Sequence, residues 1–176
     1  MSRPDKHSYF MEMVRVVAKR ATCIRRNVGC ILINQRGHVL ATGYNGVAAG
    51  MPHCNEVITK IVGHHKHDYN MTVTPIVDKT YPNACAGAFA PSGTNLEACC
   101  ATHAEANALL QCRDVYEIEC AYVTAQPCIH CIKLLLNTSC KMIIYDEDYP
   151  HSQSKELWHK AGRSMFKFSD ISLKVS

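Results

Sequence analysis

Along the first two dozen residues the apolar positions Phe10, Met13, Val14, Val17, Ala18 and Ala21 recur at three- and four-residue steps, with Arg15, Lys19 and Arg20 between them. One apolar and one charged face predict an amphipathic helix. The period then changes. Residues 28–33 form an unbroken apolar run, Gln35-Arg36-Gly37 supplies turn residues, and residues 39–44 resume a β-type composition, which predicts a hairpin. From about 47 to 98 no period is sustained, and Gly, Pro, Ala, Asn, His and Cys recur throughout. A structureless stretch of that length inside a compact domain needs metal or ligand contacts to tie it down.

Beyond Thr102 the two periods alternate. Residues 103–112, 128–137 and 154–161 read as helices, the first two buried and the last stopped at Gly162. Residues 118–124, 142–145 and 165–168 read as strands. This order predicts a largely parallel sheet covered on both faces and joined to the initial hairpin. With no repeat and no linker, residues 1–176 read as a single domain carrying an insertion at about 47–98.

Composition narrows the function classes. A content of 47% hydrophobic and 19% charged residues is that of an ordinary globular domain. The formal charge of +4 is too mild and scattered for a nucleic-acid groove, and it suits small anionic ligands such as nucleotides. Eleven cysteines, an odd number with one Cys-x-x-Cys and a polar start lacking a signal-peptide pattern, favour metal ligation in a reducing compartment over a disulfide framework. No apolar run approaches the roughly 20 residues of a membrane span. The expectation is a cytoplasmic enzyme with neither a membrane nor a stable nucleic-acid partner.

The candidate chemistry lies in His103-Ala104-Glu105 and, about two dozen residues on, Pro127-Cys128-Ile129-His130-Cys131. Thiols at i and i+3 share a helix face, and after Pro127 they fall in a first turn, where free amides and the helix dipole favour the zinc-binding thiolate. His103 would supply a third ligand from the start of the other helix, so that two helix starts converge at one end of the sheet. Three protein ligands leave a coordination position for water. Glu105, two residues from His103, is a poor fourth ligand but can reach that water and move its protons. Two other readings stay open: a closed structural zinc completed by Cys99, Cys100, Cys112, Cys120 or Cys140, and a redox Cys-x-x-Cys.

The ordered pair His-x-Glu and Pro-Cys-x-x-Cys resembles the signature of the zinc-dependent cytidine/deoxycytidylate deaminases. The similarity runs from the first helix to the last strand and is nearest to deoxycytidylate (dCMP) deaminases of bacteria and phages. It rests also on Cys23-Ile24-Arg25-Arg26-Asn27-Val28-Gly29, on Ala41-Thr42-Gly43-Tyr44-Asn45-Gly46 and on Tyr122-Val123-Thr124. The resemblance implies a three-layer α/β/α fold with a five-stranded mixed sheet. It also implies a catalytic zinc on His103, Cys128 and Cys131, Glu105 as general acid/base, and hydrolysis of dCMP to dUMP and ammonia. Asn45 would bind the deoxyribose, and Gly43, Tyr44 and Gly46 would line a substrate and effector region. Arg25 and Arg26 are candidates for the phosphate, with Arg26 assigned to the substrate site, and Tyr145 or Tyr149 for stacking on the pyrimidine.

The resemblance implies further a homohexamer activated by dCTP and inhibited by dTTP with Mg2+. A second, structural zinc would use Cys23 and Cys54, with the remaining ligands among His64, His65, His67, Cys99 and Cys100; His65 and Cys99 are the pair assigned. Location in the cytoplasm, a host's if the chain is phage-encoded, completes the expectation. The rivals are a tRNA, nucleobase or nucleoside deaminase with the same metal site, and a zinc-stabilised binding module without catalysis. About 55 residues separate the Asn-bearing strand from the His-Ala-Glu helix. Among the enzymes that length favours a nucleotide substrate.

Overall fold

The structure is a computed structural model that describes residues 3–66, 73–91, 93–150 and 153–172. Asp5 caps the first helix, α1 (Lys6–Ala18), by accepting the N–H groups of His7 and Ser8. Its buried face is Phe10, Met11, Val14 and Ala18, one step rotated from the face that the spacing suggests. Strands β1 (Gly29–Ile33) and β2 (Val39–Tyr44) form the expected antiparallel hairpin.

The insertion departs from the expectation. Residues expected to lack regular structure form a second hairpin, β3 (Ile58–Lys66) and β4 (Val73–Thr80), paired only with each other among the described residues. Its strands alternate poorly: Ile58, Ile61 and Val62 are all exposed. The period-2 signal that marks a half-buried strand is therefore missing. The elements that follow are α2 (Ala104–Gln111), β5 (Cys120–Ala125), α3 (Ile129–Leu136), β6 (Met142–Glu147), α4 (Gln153–Lys160), β7 (Ser164–Lys167) and a short α5 (Phe168–Ser172). Helix α2 is less enclosed than its sequence suggests. Leu110 is 81% exposed, whereas Glu105 is buried.

The main sheet is mixed, in the order β2-β1-β5-β6-β7, with β5, β6 and β7 parallel and β1 antiparallel to both neighbours. Helix α1 covers one face through Phe10, Met11 and Val14 against Ile31, Ile33, Tyr122 and Ile144. Helices α2, α3 and α4 cover the other, where Ala104, Ala108, Ile132, Leu135 and Trp158 pack on Cys30, Leu32, Ala121, Val123 and Ile143. This is the three-layer α/β/α arrangement. No helix among the described residues is long and apolar enough to cross a membrane.

Two features set α2 and α3 relative to the sheet. A Cβ on Gly43 would lie 2.3 Å from the Ala104 carbonyl and from the Ala108 amide, so only glycine lets β2 and α2 approach this closely. Arg163 ties down the far end of α3, donating to the carbonyls of Leu135, Leu136, Thr138 and Cys140 while stacking on Trp158. Gly43→Ala is expected to destabilise the fold by about 3 kcal/mol, because the obstructing atoms are backbone. Urea unfolding would measure this, and a loss under about 1 kcal/mol would contradict the close-approach account.

Candidate active site

The site forms at the end of the sheet where β5 finishes, β2 finishes and β1 begins. Register places Gly29 opposite Tyr44, and the Gly29 amide donates to Thr124 Oγ1 at 3.1 Å. Past β2, Gly46 and Thr102 exchange backbone hydrogen bonds of 3.1 and 2.8 Å, which brings the segment before α2 to the strand end. His103 follows at once as the residue capping α2, with extended backbone (φ −70°, ψ 153°). Cys128 occupies the same position on α3 (φ −70°, ψ 168°), and Cys131 lies in the first turn. Both helix starts thus converge, as the spacing implies.

Cys128 Sγ and Cys131 Sγ each lie 3.4 Å from His103 Nδ1, and the three ligand atoms fall within 4.8 Å of one another. Two soft sulfurs and an imidazole suit zinc. A hydrogen bond from Cys131, then one from His103, holds the Cys128 thiol down at about 3, although burial opposes ionisation. Cys131 is pushed up by sharing that hydrogen bond and by burial, and His103 is raised by its bond to Cys128. These groups share protons that metal binding would displace.

Glu105 is 4% exposed, and burial raises its pKa against the opposing effects of its own amide and of His103. The i, i+2 spacing does not keep it from the cluster, because His103 precedes the helix and Glu105 sits inside its first turn. The carboxylate meets the Cys131 thiol. Among the described residues no fourth histidine, cysteine or carboxylate joins the three ligands. Cys120 on β5 and Cys140 before β6 are buried in the core, and Cys112 bonds to the Asp114 carbonyl beyond α2. None of them closes this site.

The cleft over Glu105 is lined by Arg25, Arg26, Val28, Asn45, Gly93, Gln126 and Tyr149 together with the three ligands' surroundings. Tyr149 reaches it, whereas Tyr145 is 2% exposed in the core with its hydroxyl donating to Asp148. Asn45 lines it while bracing the neighbouring loop: Oδ1 accepts from the Val28 amide and Nδ2 donates to the Arg26 carbonyl, both at 2.7 Å. The residues of the Gly43–Gly46 run face different surroundings. Gly43 serves helix packing, while Tyr44 and Gly46 line a separate hollow with Val47, His53 and Asn107.

A second thiol cluster stands beside the cleft. Cys54 neighbours Cys85, Cys85 neighbours Cys99 and Cys99 neighbours Cys23, each thiol shifting the next one's proton affinity, and none of the four is in a disulfide. Among the described residues only His103, Cys128 and Cys131 bring three ligand atoms within 4.8 Å. Cys23 and Cys99 also line the cleft. Three of these four were expected together; Cys85 was not, since an isolated cysteine beyond an unrecognised hairpin carries no spacing signal. Nearby backbone amides, of Cys100 and Gly87 at Cys85, of Ala101 at Cys99 and of Cys85 at Cys54, favour the thiolate against burial. Cys100 itself is exposed. His64 and His65 stand on β3 with side chains outside the described residues, and His67 lies outside them altogether.

Comparison with known proteins agrees with this geometry. The family model for the cytidine and deoxycytidylate deaminase zinc-binding region matches residues 4–147. The chain is 32% identical over 149 residues to the deoxycytidylate deaminase of Mycobacterium phage D29, covering 84% of this chain and 99% of that protein. It is 31% identical over 169 residues to ComE operon protein 2 of Bacillus subtilis, covering 92% and 70%. It is 33% identical over 152 residues to the deoxycytidylate deaminase of Schizosaccharomyces pombe, with 84% of this chain but only 38% of the relative's length covered. The dCMP deaminase of cyanophage S-TIM5, solved with dCMP and dUMP, shares the fold at a TM-score of 0.64 and 19% identity, over 95% of this chain and 99% of that one. The converging His103, Cys128 and Cys131, and the extent of these matches, show that the chain belongs to the cytidine and deoxycytidylate deaminase family.

Proposed function

We propose that the protein is a zinc-dependent dCMP deaminase, converting dCMP and water to dUMP and ammonia. The observation that carries this reading is a buried carboxylate, Glu105, beside a three-ligand cluster with no fourth protein ligand among the described residues. The similarity to deoxycytidylate deaminases supports the substrate. His103, Cys128 and Cys131 would hold zinc, which supplies acidification of a water molecule from a pKa of about 15.7 toward about 7. Glu105 takes a proton from the attacking water and delivers it to the pyrimidine N3 as C4 is attacked. The second proton passes through the same carboxylate to the amino group, which leaves as ammonia. A carboxylate whose proton affinity is raised by burial is suited to hold the proton between these transfers. Tyr149 offers a face for the pyrimidine, and Asn45 and Arg26 stand in the same cleft for sugar and phosphate.

The four-thiol cluster would hold the second, structural zinc, with Cys85 taking the place expected of His65. The Cys85 thiol is held down by nearby N–H groups, while burial pushes Cys54 and Cys99 up; four thiolates on a metal would make a closed site. Regulation belongs to the same proposal: activation by dCTP and inhibition by dTTP, each with Mg2+, in a cytoplasmic homohexamer that supplies dUMP for thymidylate synthesis. The hollow at Tyr44 and Gly46, separate from the cleft, supports an effector position near that strand end.

Ammonia release from dCMP, deoxycytidine and a tRNA stem-loop tests the substrate. Turnover confined to dCMP is expected, and turnover of deoxycytidine or tRNA alone would overturn the nucleotide assignment. Glu105→Gln should keep its zinc and its unfolding midpoint while kcat falls about 1000-fold; a smaller loss than about tenfold would remove Glu105 from proton transfer. Cys85→Ser should lower zinc from about two per chain to about one, measured by mass spectrometry of the metal. Retention of both zincs would refute the four-sulfur site. Initial rates that respond to neither dCTP nor dTTP would remove the regulatory part.

A further inference from the structure

Two guanidinium groups face the cleft in different electrostatic states. Arg26 donates from Nη2 to a Glu147 carboxylate oxygen at 2.5 Å, so its charge is cancelled locally. Arg25 has no carboxylate partner among the described residues. Its Nη2 donates instead to two backbone carbonyls of the insertion, Pro91 at 2.5 Å and Thr94 at 2.7 Å. A carbonyl pair orients a guanidinium without neutralising it. With both Nη2 hydrogens used, the donors on Nε and Nη1 remain.

The position of this uncancelled charge is defined from three sides. Its side chain lines the cleft together with His103, Glu105 and Tyr149, between the three-ligand cluster and the aromatic wall. Pro91 and Thr94 lie in sequence between Cys85 and Cys99, whose thiols are neighbours. Cys23, two residues before Arg25, neighbours Cys99, and both line the cleft. Arg25 is restrained by its two carbonyl partners, and little side-chain freedom is left to lose on binding an anion.

We propose that Arg25 selects a nucleoside 5′-monophosphate over the bare nucleoside, presenting its Nε and Nη1 donors to the phosphate while its bonds to the Pro91 and Thr94 carbonyls hold it at the cleft wall. This assignment rests on the proposed deamination of dCMP and gives the phosphate role to Arg25 in place of Arg26. Arg26 could serve only by leaving Glu147. Arg25 needs no such exchange.

The test is the ratio of kcat/KM for dCMP to kcat/KM for deoxycytidine. Arg25→Gln is expected to lower that ratio about 100-fold, the loss of charged hydrogen bonds to phosphate. Arg25→Lys keeps the charge but loses the planar fork that meets two carbonyls and still offers a bidentate face to phosphate, and should lower the ratio about tenfold. Glu147→Gln, which frees Arg26 from an exposed pair, should leave the ratio within about threefold. Equal loss of both substrates in Arg25→Gln would reduce Arg25 to a support for the turn and overturn the proposal. A tenfold or greater rise in the ratio in Glu147→Gln would move the phosphate to Arg26. Should Arg25→Gln fail to fold, an unchanged ratio in Arg25→Lys overturns the proposal equally. A wild-type protein that deaminates neither compound would overturn the proposed activity itself, and this assignment with it.

Discussion

Three ligand atoms from positions 25 and 28 residues apart must stay within 4.8 Å of one another, and most of the fold can be read as the means of meeting that demand. Neither helix carries the cluster alone. His103 and Cys128 each precede a helix, so the site exists only where two helix starts are brought to one sheet end. Gly43 lets α2 sit close on β2, the Gly46–Thr102 pairing sets where α2 begins, and the short connection from β5 fixes α3. Arg163 holds the opposite end of α3 through four carbonyls, so the helix has little room to slide.

The same enclosure creates the site's reactivity. Burying an ionised carboxylate and two thiolates without compensation is costly, and proteins answer by sharing or shifting protons. Here Cys128 is held ionised while Cys131 and Glu105 hold protons more tightly, so a bound cation and a moving proton each meet a partner. The second thiol cluster extends this logic to the insertion. Cys99 and His103 lie on one short segment, and Cys23 and Arg25 on another, so whatever orders the four thiols also shapes the cleft wall.

Legibility in the sequence followed how local each signal is. The hairpin of β1 and β2, the alternation after Thr102 and the stop at Gly162 depend on neighbouring residues, and they stand where the pattern puts them. The His103, Cys128 and Cys131 triplet was readable because its spacing is fixed by two helix starts. The hairpin of the insertion was not, since exposed Ile58, Ile61 and Val62 break the alternation a buried face would impose. Cys85 joins its cluster through contacts between distant segments, a relation that residue type alone cannot carry. Nor could the sequence separate Arg25 from Arg26: adjacent arginines differ here only in what faces them, two carbonyls or a carboxylate.

The central claim is that the protein's own ligands hold a metal and leave one position for water beside Glu105. A crystal structure with anomalous diffraction measured at the zinc edge tests it most directly. The account requires a zinc peak bonded to His103 Nδ1, Cys128 Sγ and Cys131 Sγ, with a fourth, non-protein ligand within hydrogen-bond reach of the Glu105 carboxylate. A peak whose fourth ligand is a protein side chain, or no peak at these three residues, would contradict it.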